Sequence, residues 1–155
     1  MIAFGDLLRF PCRPNKIPLR KAWNATATRA SADAWPLVGV PTGAANGFDV
    51  LDIDPEAVGW FDQNFDALPT TEAHSTPRGL HLLFRHAPDL RSRAGIAPGV
   101  DVRADGGYCI WWPREGHPIE RHPLTEWPDW LLELARGKSK SFAWVDPNKR
   151  RRTDQ

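Results

Sequence analysis

Three short stretches carry the residue types that phosphoryl chemistry needs. In Phe48-Asp49-Val50-Leu51-Asp52-Ile53-Asp54, the acids at 52 and 54 are two apart. A strand there turns Asp52 and Asp54 to one face and Leu51 and Ile53 to the other. Neighbouring carboxylates repel unless a cation lies between them, and they are the hard oxygen ligands that Mg²⁺ and Mn²⁺ prefer. The plainer reading is a solvated strand end running into a turn at Pro55. In Leu80–Arg85 the alternation puts His81, Leu83 and Arg85 on one face, after a turn built on Pro77 and Gly79. Glycine at 79 permits close backbone approach to a ligand. In Gly99–Tyr108, Asp101 and Arg103 alternate with Val100 and Val102, and Asp105-Gly106-Gly107 is a tight turn. Read plainly this is a hairpin with a polar outer face; read chemically, Asp101 is a third carboxylate and Arg103 a phosphate-binding cation.

Any one of these stretches has an ordinary structural explanation, and their coincidence is what points to a site. If the three strands lie side by side, Asp52, Asp54, His81, Arg85, Asp101 and Arg103 converge on one surface. Three carboxylates can hold two divalent ions, which together clamp the attacking and leaving oxygens of a phosphoryl transfer. His81 and the arginines would then neutralise or hydrogen-bond a triphosphate.

The elements that must position these groups are short. Fifteen prolines in 155 residues argue against a helical bundle and for brief elements joined by turns. Strands are expected at 8–11, 37–41, 48–54, 80–86, 100–103 and 108–112, and helices at 31–35, 55–65 and 128–135. This length fits one domain, read as a mixed α+β unit over 1–137. Residues 138–155 hold six basic and two acidic side chains and read as a flexible basic tail, leaving 14 basic and 17 acidic in the body. That balance argues against a nucleic-acid grip by body charge alone and for access through the tail or through bound metal ions. No apolar run is long enough to cross a membrane. The N-terminus does not read as a secretory signal, so the expected location is cytoplasmic. Cys12 and Cys109 are expected as buried free thiols, and His74, His86, His117 and His122 as surface residues. Of Trp111 and Trp112, one is expected inside and the other exposed, where it could stack on a base. The Thr42-Gly43 turn reads equally as a backbone contact to nucleotide or as a plain turn.

Five segments in order resemble the bifunctional DNA primase/polymerase (prim–pol) domain of the archaeo-eukaryotic primase superfamily. They are Pro-Cys-Arg-Pro-Asn-Lys-Ile-Pro-Leu (11–19), Gly-Val-Pro-Thr-Gly (39–43), Leu-Asp-Ile-Asp-Pro (51–55), Ser-Thr-Pro-Arg-Gly-Leu-His-Leu-Leu-Phe (75–84) and Gly-Val-Asp-Val-Arg-Ala-Asp-Gly-Gly-Tyr (99–108). The likeness spans about residues 8–135. It implies an RRM-like mixed sheet core with flanking helices and a small N-terminal α/β unit. It also implies template-directed synthesis from nucleoside triphosphates on a single-stranded DNA template, using Mg²⁺ or Mn²⁺ in a two-metal site. Asp52, Asp54 and Asp101 match the metal-binding acids of the family. His81 matches its phosphate-contacting histidine, and Arg103, Gly106 and Gly107 follow the third acid. The setting implied is plasmid, phage or prophage replication beside a separate helicase, with no membrane role. Leu80 stands where the family carries Arg, and Trp111-Trp112-Pro113-Arg114 replaces a Pro-Pro-Ser-like segment. With only ten residues before Pro11, the chain reads as a trimmed or stand-alone module. Two other readings stay open: a nucleotide- or nucleic-acid-binding replication accessory, and a metal-dependent nuclease using the same acids.

Overall fold

Each alternating segment becomes a strand because it has one apolar face to bury. A computed structural model of the chain describes residues 1–137, and the tail expected over 138–155 lies outside the described residues. The strands are β1 (Phe10–Cys12), β2 (Leu37–Pro41), β3 (Phe48–Ile53), β4 (Ala73–Ser75), β5 (Leu80–Arg85), β6 (Arg93–Ala97), β7 (Val100–Arg103), β8 (Tyr108–Ile110) and β9 (Ile119–Glu120). Helices are α1 (Trp23–Thr26), α2 (Val58–Asn64) and α3 (Asp129–Ala135). Pro55 opens the turn leading into α2, where its missing N–H is no loss. Gly137, at a φ of 75°, follows α3 and ends it. The helix expected at 31–35 does not form. Ser31 takes the Asp33 amide on its hydroxyl, and Pro36 disfavours helical backbone at Trp35.

The α+β expectation holds, with the strands divided between two sheets of order β6-β7-β3-β5-β4-β9 and β1-β2-β8. Every strand pairing in both is antiparallel, so the expected mixed sheet is corrected. The reason lies in the connection after β3. The chain crosses over through α2 to β4, then turns back as β5 into the space beside β3. β4 therefore runs parallel to β3 without touching it, a split β-α-β arrangement.

The large sheet is covered differently on its two faces. Leu51, Ile53, Leu82, Phe84, Val100 and Val102 form one core with Trp127, Leu131 and Leu134. On the other face, Phe48, Val50 and Leu83 meet Val38, Val40, Cys109 and Trp111 of the small sheet. The small sheet's outer face has its own cluster of Phe10, Cys12, Leu37 and Ile110, backed by Trp23 and Tyr108. Gly39 is required there, because a Cβ would run into the Phe10 ring that crosses it. Its third strand, β8, comes from beyond β7, so this unit is not wholly N-terminal.

Candidate active site

Where the small sheet stops covering the large one, the polar ends of three strands stay open. Asp52 of β3 lies opposite His81 of β5 on one side and Asp101 of β7 on the other. Directly opposed residues share a face, so the row the alternation predicts is formed. It opens into a cavity of about 470 Å³, whose lining includes Asp52, Asp54, His81, Asp101, Arg103, Gly106 and Gly107.

Charge is arranged tightly in this row. Asp52 Oδ1 lies 3.5 Å from His81 Nε2, and its Oδ2 accepts from Arg103 Nη2 at 3.4 Å. Burial pushes the Asp52 carboxyl up, but His81 and Arg103 outweigh it and leave it below the ordinary value. Arg103 Nη2 also lies 3.6 Å from Asp101 Oδ2, while Asp101 Oδ1 accepts the Gly95 amide at 2.8 Å. Asp54 is exposed and has no ion-pair partner among the described residues. Desolvation first, then repulsion from Asp52, Asp101 and Glu56, raises its pKa, against a weaker pull from Arg78.

The donor chemistry suits a hard divalent cation, since three carboxylates face one cavity and Asp54 carries unrelieved repulsion from the other two. Among the described residues no group of three or more His, Cys, Asp or Glu side chains stands close enough together to hold a metal ion in this arrangement. Arg103 holds the place between Asp52 and Asp101 instead.

Two expected ligands fall outside the cavity. Arg85 stands four residues beyond His81 on β5, roughly 13 Å along the strand at about 3.3 Å per residue. It shares the face but pairs in register with Phe48, past the buried Leu83. Gly79 uses its missing side chain against the protein itself, because a Cβ there would strike the Ile53 carbonyl. Gly106 and Gly107 do reach the cavity, on a turn that is firmly anchored. Thr42 Oγ1 donates to the Ala104 carbonyl at 2.7 Å, and Asp105 Oδ1 accepts the Ala44 amide at 2.8 Å. The Thr42-Gly43 turn is thus a structural brace for the glycine turn.

Sequence reading missed the wall contributed by the small sheet. Lys16, Trp23, Tyr108 and Trp112 line the same cavity as the acids. Trp111 is buried while Trp112 is half-exposed at the cavity, as the alternation expected. Lys16 has a φ of 75°, its Nζ lies 5.7 Å from the Trp112 ring centroid, and its carbonyl accepts the Tyr108 hydroxyl at 2.8 Å. Left-handed backbone at lysine is unfavourable and persists only where its surroundings hold it.

Behind the row lies a second feature that the sequence reading placed on the surface. His74 sits directly across from His81, is fully buried, and bonds Glu72 at 2.7 Å, also fully buried. Desolvation lowers the His74 pKa against the opposing pull of Glu72. His86 is likewise largely covered, 2.7 Å from the buried Asp49. Cys12 and Cys109 are buried free thiols, pushed by burial to about 11 and about 12.

No helix among the described residues is long and apolar enough to cross a membrane. A family model described as bifunctional DNA primase/polymerase, N-terminal, matches residues 7–130. No curated protein matches the chain.

Proposed function

The chain belongs to the bifunctional DNA primase/polymerase N-terminal family, and on that premise we propose that it joins nucleoside triphosphates into a strand on a single-stranded DNA template. The observation that carries this reading is the cross-strand row His81–Asp52–Asp101, open to a cavity that also holds Arg103 and Arg78. Acids and cations together suit a site that must hold both metal and an anionic triphosphate. Asp52, Asp54 and Asp101 would hold Mg²⁺ or Mn²⁺, which when bound polarises the reacting phosphoryl group and stabilises the charge developing on it. Arg103, freed from its carboxylates, and the exposed Arg78 offer hydrogen bonds to phosphate oxygens. His81 contributes a further ring nitrogen at the same edge. The turn at Gly106 and Gly107 brings backbone to the cavity with no side chain in the way. Trp112 and Tyr108 offer ring surface to a base in the same cavity.

One observation favours a second reading. Arg103 already neutralises Asp52 and Asp101, an arrangement suited to a module that binds nucleotide without turning it over. Primer synthesis and extension on single-stranded DNA with Mg²⁺ or Mn²⁺ separates the two. Product from the wild-type chain and none from Asp52→Ala is the expected result. Triphosphate binding without turnover under every metal condition selects the accessory reading, and shortening of labelled DNA without nucleotide selects a nuclease.

A further inference from the structure

The body's charge is divided in space. Residues 7–32 carry six basic side chains and no acidic one, whereas residues 33–137 carry eight basic and sixteen acidic. Of the six, Arg9 is buried, its guanidinium donating to the carbonyls of Phe4, Leu7, Arg29 and Ala30. Arg29 donates to the Asp6 carbonyl. The other four, Arg13, Lys16, Arg20 and Lys21, are exposed, and none forms an ion pair among the described residues.

These four cations are held on one structured projection. β1 continues into a hairpin in which the Arg13 amide donates to the Ile17 carbonyl and the Leu19 amide to the Pro11 carbonyl. Cys12 bridges to Pro18 across it. Lys16 is at its tip and Arg20 and Lys21 follow its base. Between the cations stand Ile17 and Leu19, 56% and 43% exposed. The tip enters the cavity wall, where Lys16 and Trp23 both line the candidate active site. A row of unpaired cations, interleaved with bare apolar side chains and leading into that cavity, matches a flexible anion with apolar rings.

We infer that this hairpin is the track along which a single-stranded DNA template approaches the acidic row: Arg13, Arg20 and Lys21 bind its phosphates, and Ile17 and Leu19 lie against its bases. The assignment rests on the template-directed reading above and adds the surface that carries the template. It also places the strand where charge attracts it, away from the carboxylates that would repel it.

The test is binding of a fluorescently labelled single-stranded oligonucleotide to the full chain over a salt series. A chelator and the absence of nucleotide keep catalysis out of the measurement. Each phosphate contact on a single strand contributes about 0.7 to the slope of log affinity against log salt. The triple variant Arg13→Gln/Arg20→Gln/Lys21→Gln should flatten the slope by about 2 and weaken binding about 100-fold at 0.1 M salt. Each single change should remove about 0.7, a readout that survives if the triple variant is poorly folded. An unchanged slope overturns the inference. So does a loss confined to duplex DNA or to anionic lipid vesicles, because the ridge then serves a different partner. A chain that binds through the ridge yet makes no product with any metal removes the catalytic reading and leaves the ridge in place.

Discussion

The two sheets share antiparallel pairing and an apolar core, and differ in what else their packing takes in. Rings hold the small sheet's outer face: Phe10 lies 4.9 Å from Trp23 and 5.2 Å from Tyr108, and Trp23 lies 5.1 Å from Tyr108. Arg13, Lys16, Arg20 and Lys21 stand outside that packing. The large sheet instead takes polar groups into its interior as bonded sets. Glu72 meets His74 at 2.7 Å, and Asp49 accepts from His86, the Ala87 amide and Trp127. Buried pairs give little net stability, because desolvation offsets attraction, but losing one partner is strongly destabilising. Aromatic packing, in contrast, stabilises directly and leaves the surface free to carry charge. The body, with 14 basic and 17 acidic side chains over residues 1–137, is therefore the sum of two unlike regions.

The largest effect should come from separating the two regions by function. Asp52→Ala should lower nucleotide incorporation on the order of 10³-fold, the scale of removing a charge-stabilising group from a reacting centre. Single-strand binding in chelator should stay unchanged, because the ridge lies on the other sheet. Anisotropy titration beside a primer-extension assay reads both. Loss of both activities together would break the division between an acidic site and a basic track.

Stability offers the next test. Phe10→Ala should destabilise the chain by about 3–5 kcal/mol, since it removes a buried ring and leaves a cavity. Urea unfolding measures the total. Amide exchange shows where it falls: β1 and β2 should exchange faster while β3 and β5 keep their protection. Equal acceleration in all four strands would mean that both sheets open as one unit.

The large sheet should also respond to acid in a way the small one does not. His74 is fully buried, with Glu72 bonded to it from just before β4, His81 across from it on β5 and Arg121 contributing repulsion. Desolvation puts its folded pKa below the ordinary 6.5. Below that value the unfolded chain takes up a proton that the folded chain refuses, so stability falls as pH drops from 6.5 towards the folded value. The double variant Glu72→Gln/His74→Phe should reduce this acid-side loss in urea titrations at stepped pH. A loss as steep as in the wild type would assign it to other groups.

The row at the candidate active site was legible because strand alternation has a period of two and fixes the face of every side chain. Asp52, His81 and Asp101 needed only that rule and the assumption that their strands are neighbours. What alternation does not contain is distance along the strand or which part of a face is covered. Leu83 and Val50 share the row's face and lie buried beneath the small sheet. His74 was misplaced for a related reason: nothing local shows that the short β4 will be sandwiched between β5 and β9. The basic hairpin was hidden by adding charge over the whole body, where acids of the large sheet cancel it. Lys16 and Trp112 joined the cavity only through folding, 96 positions apart in sequence.

Arg85 gives the smallest expected effect and the sharpest check on that lesson. It is exposed and lies opposite Phe48, at the far end of the strand that carries His81. If sharing a face were enough to place a residue in the site, Arg85→Ala would weaken nucleotide use much as Arg103→Ala does. The fold predicts otherwise, since the buried Val50–Leu83 pair stands between Arg85 and the row. Incorporation by Arg85→Ala should stay within about twofold of wild type, because an exposed side chain without a buried partner rarely contributes more than a few tenths of a kcal/mol. Arg103→Ala should instead raise the KM for nucleoside triphosphate about tenfold or more, the scale of one lost charge-assisted hydrogen bond. Equal defects in the two variants would move the triphosphate out along β5, towards the small sheet, and the boundary between the two regions with it.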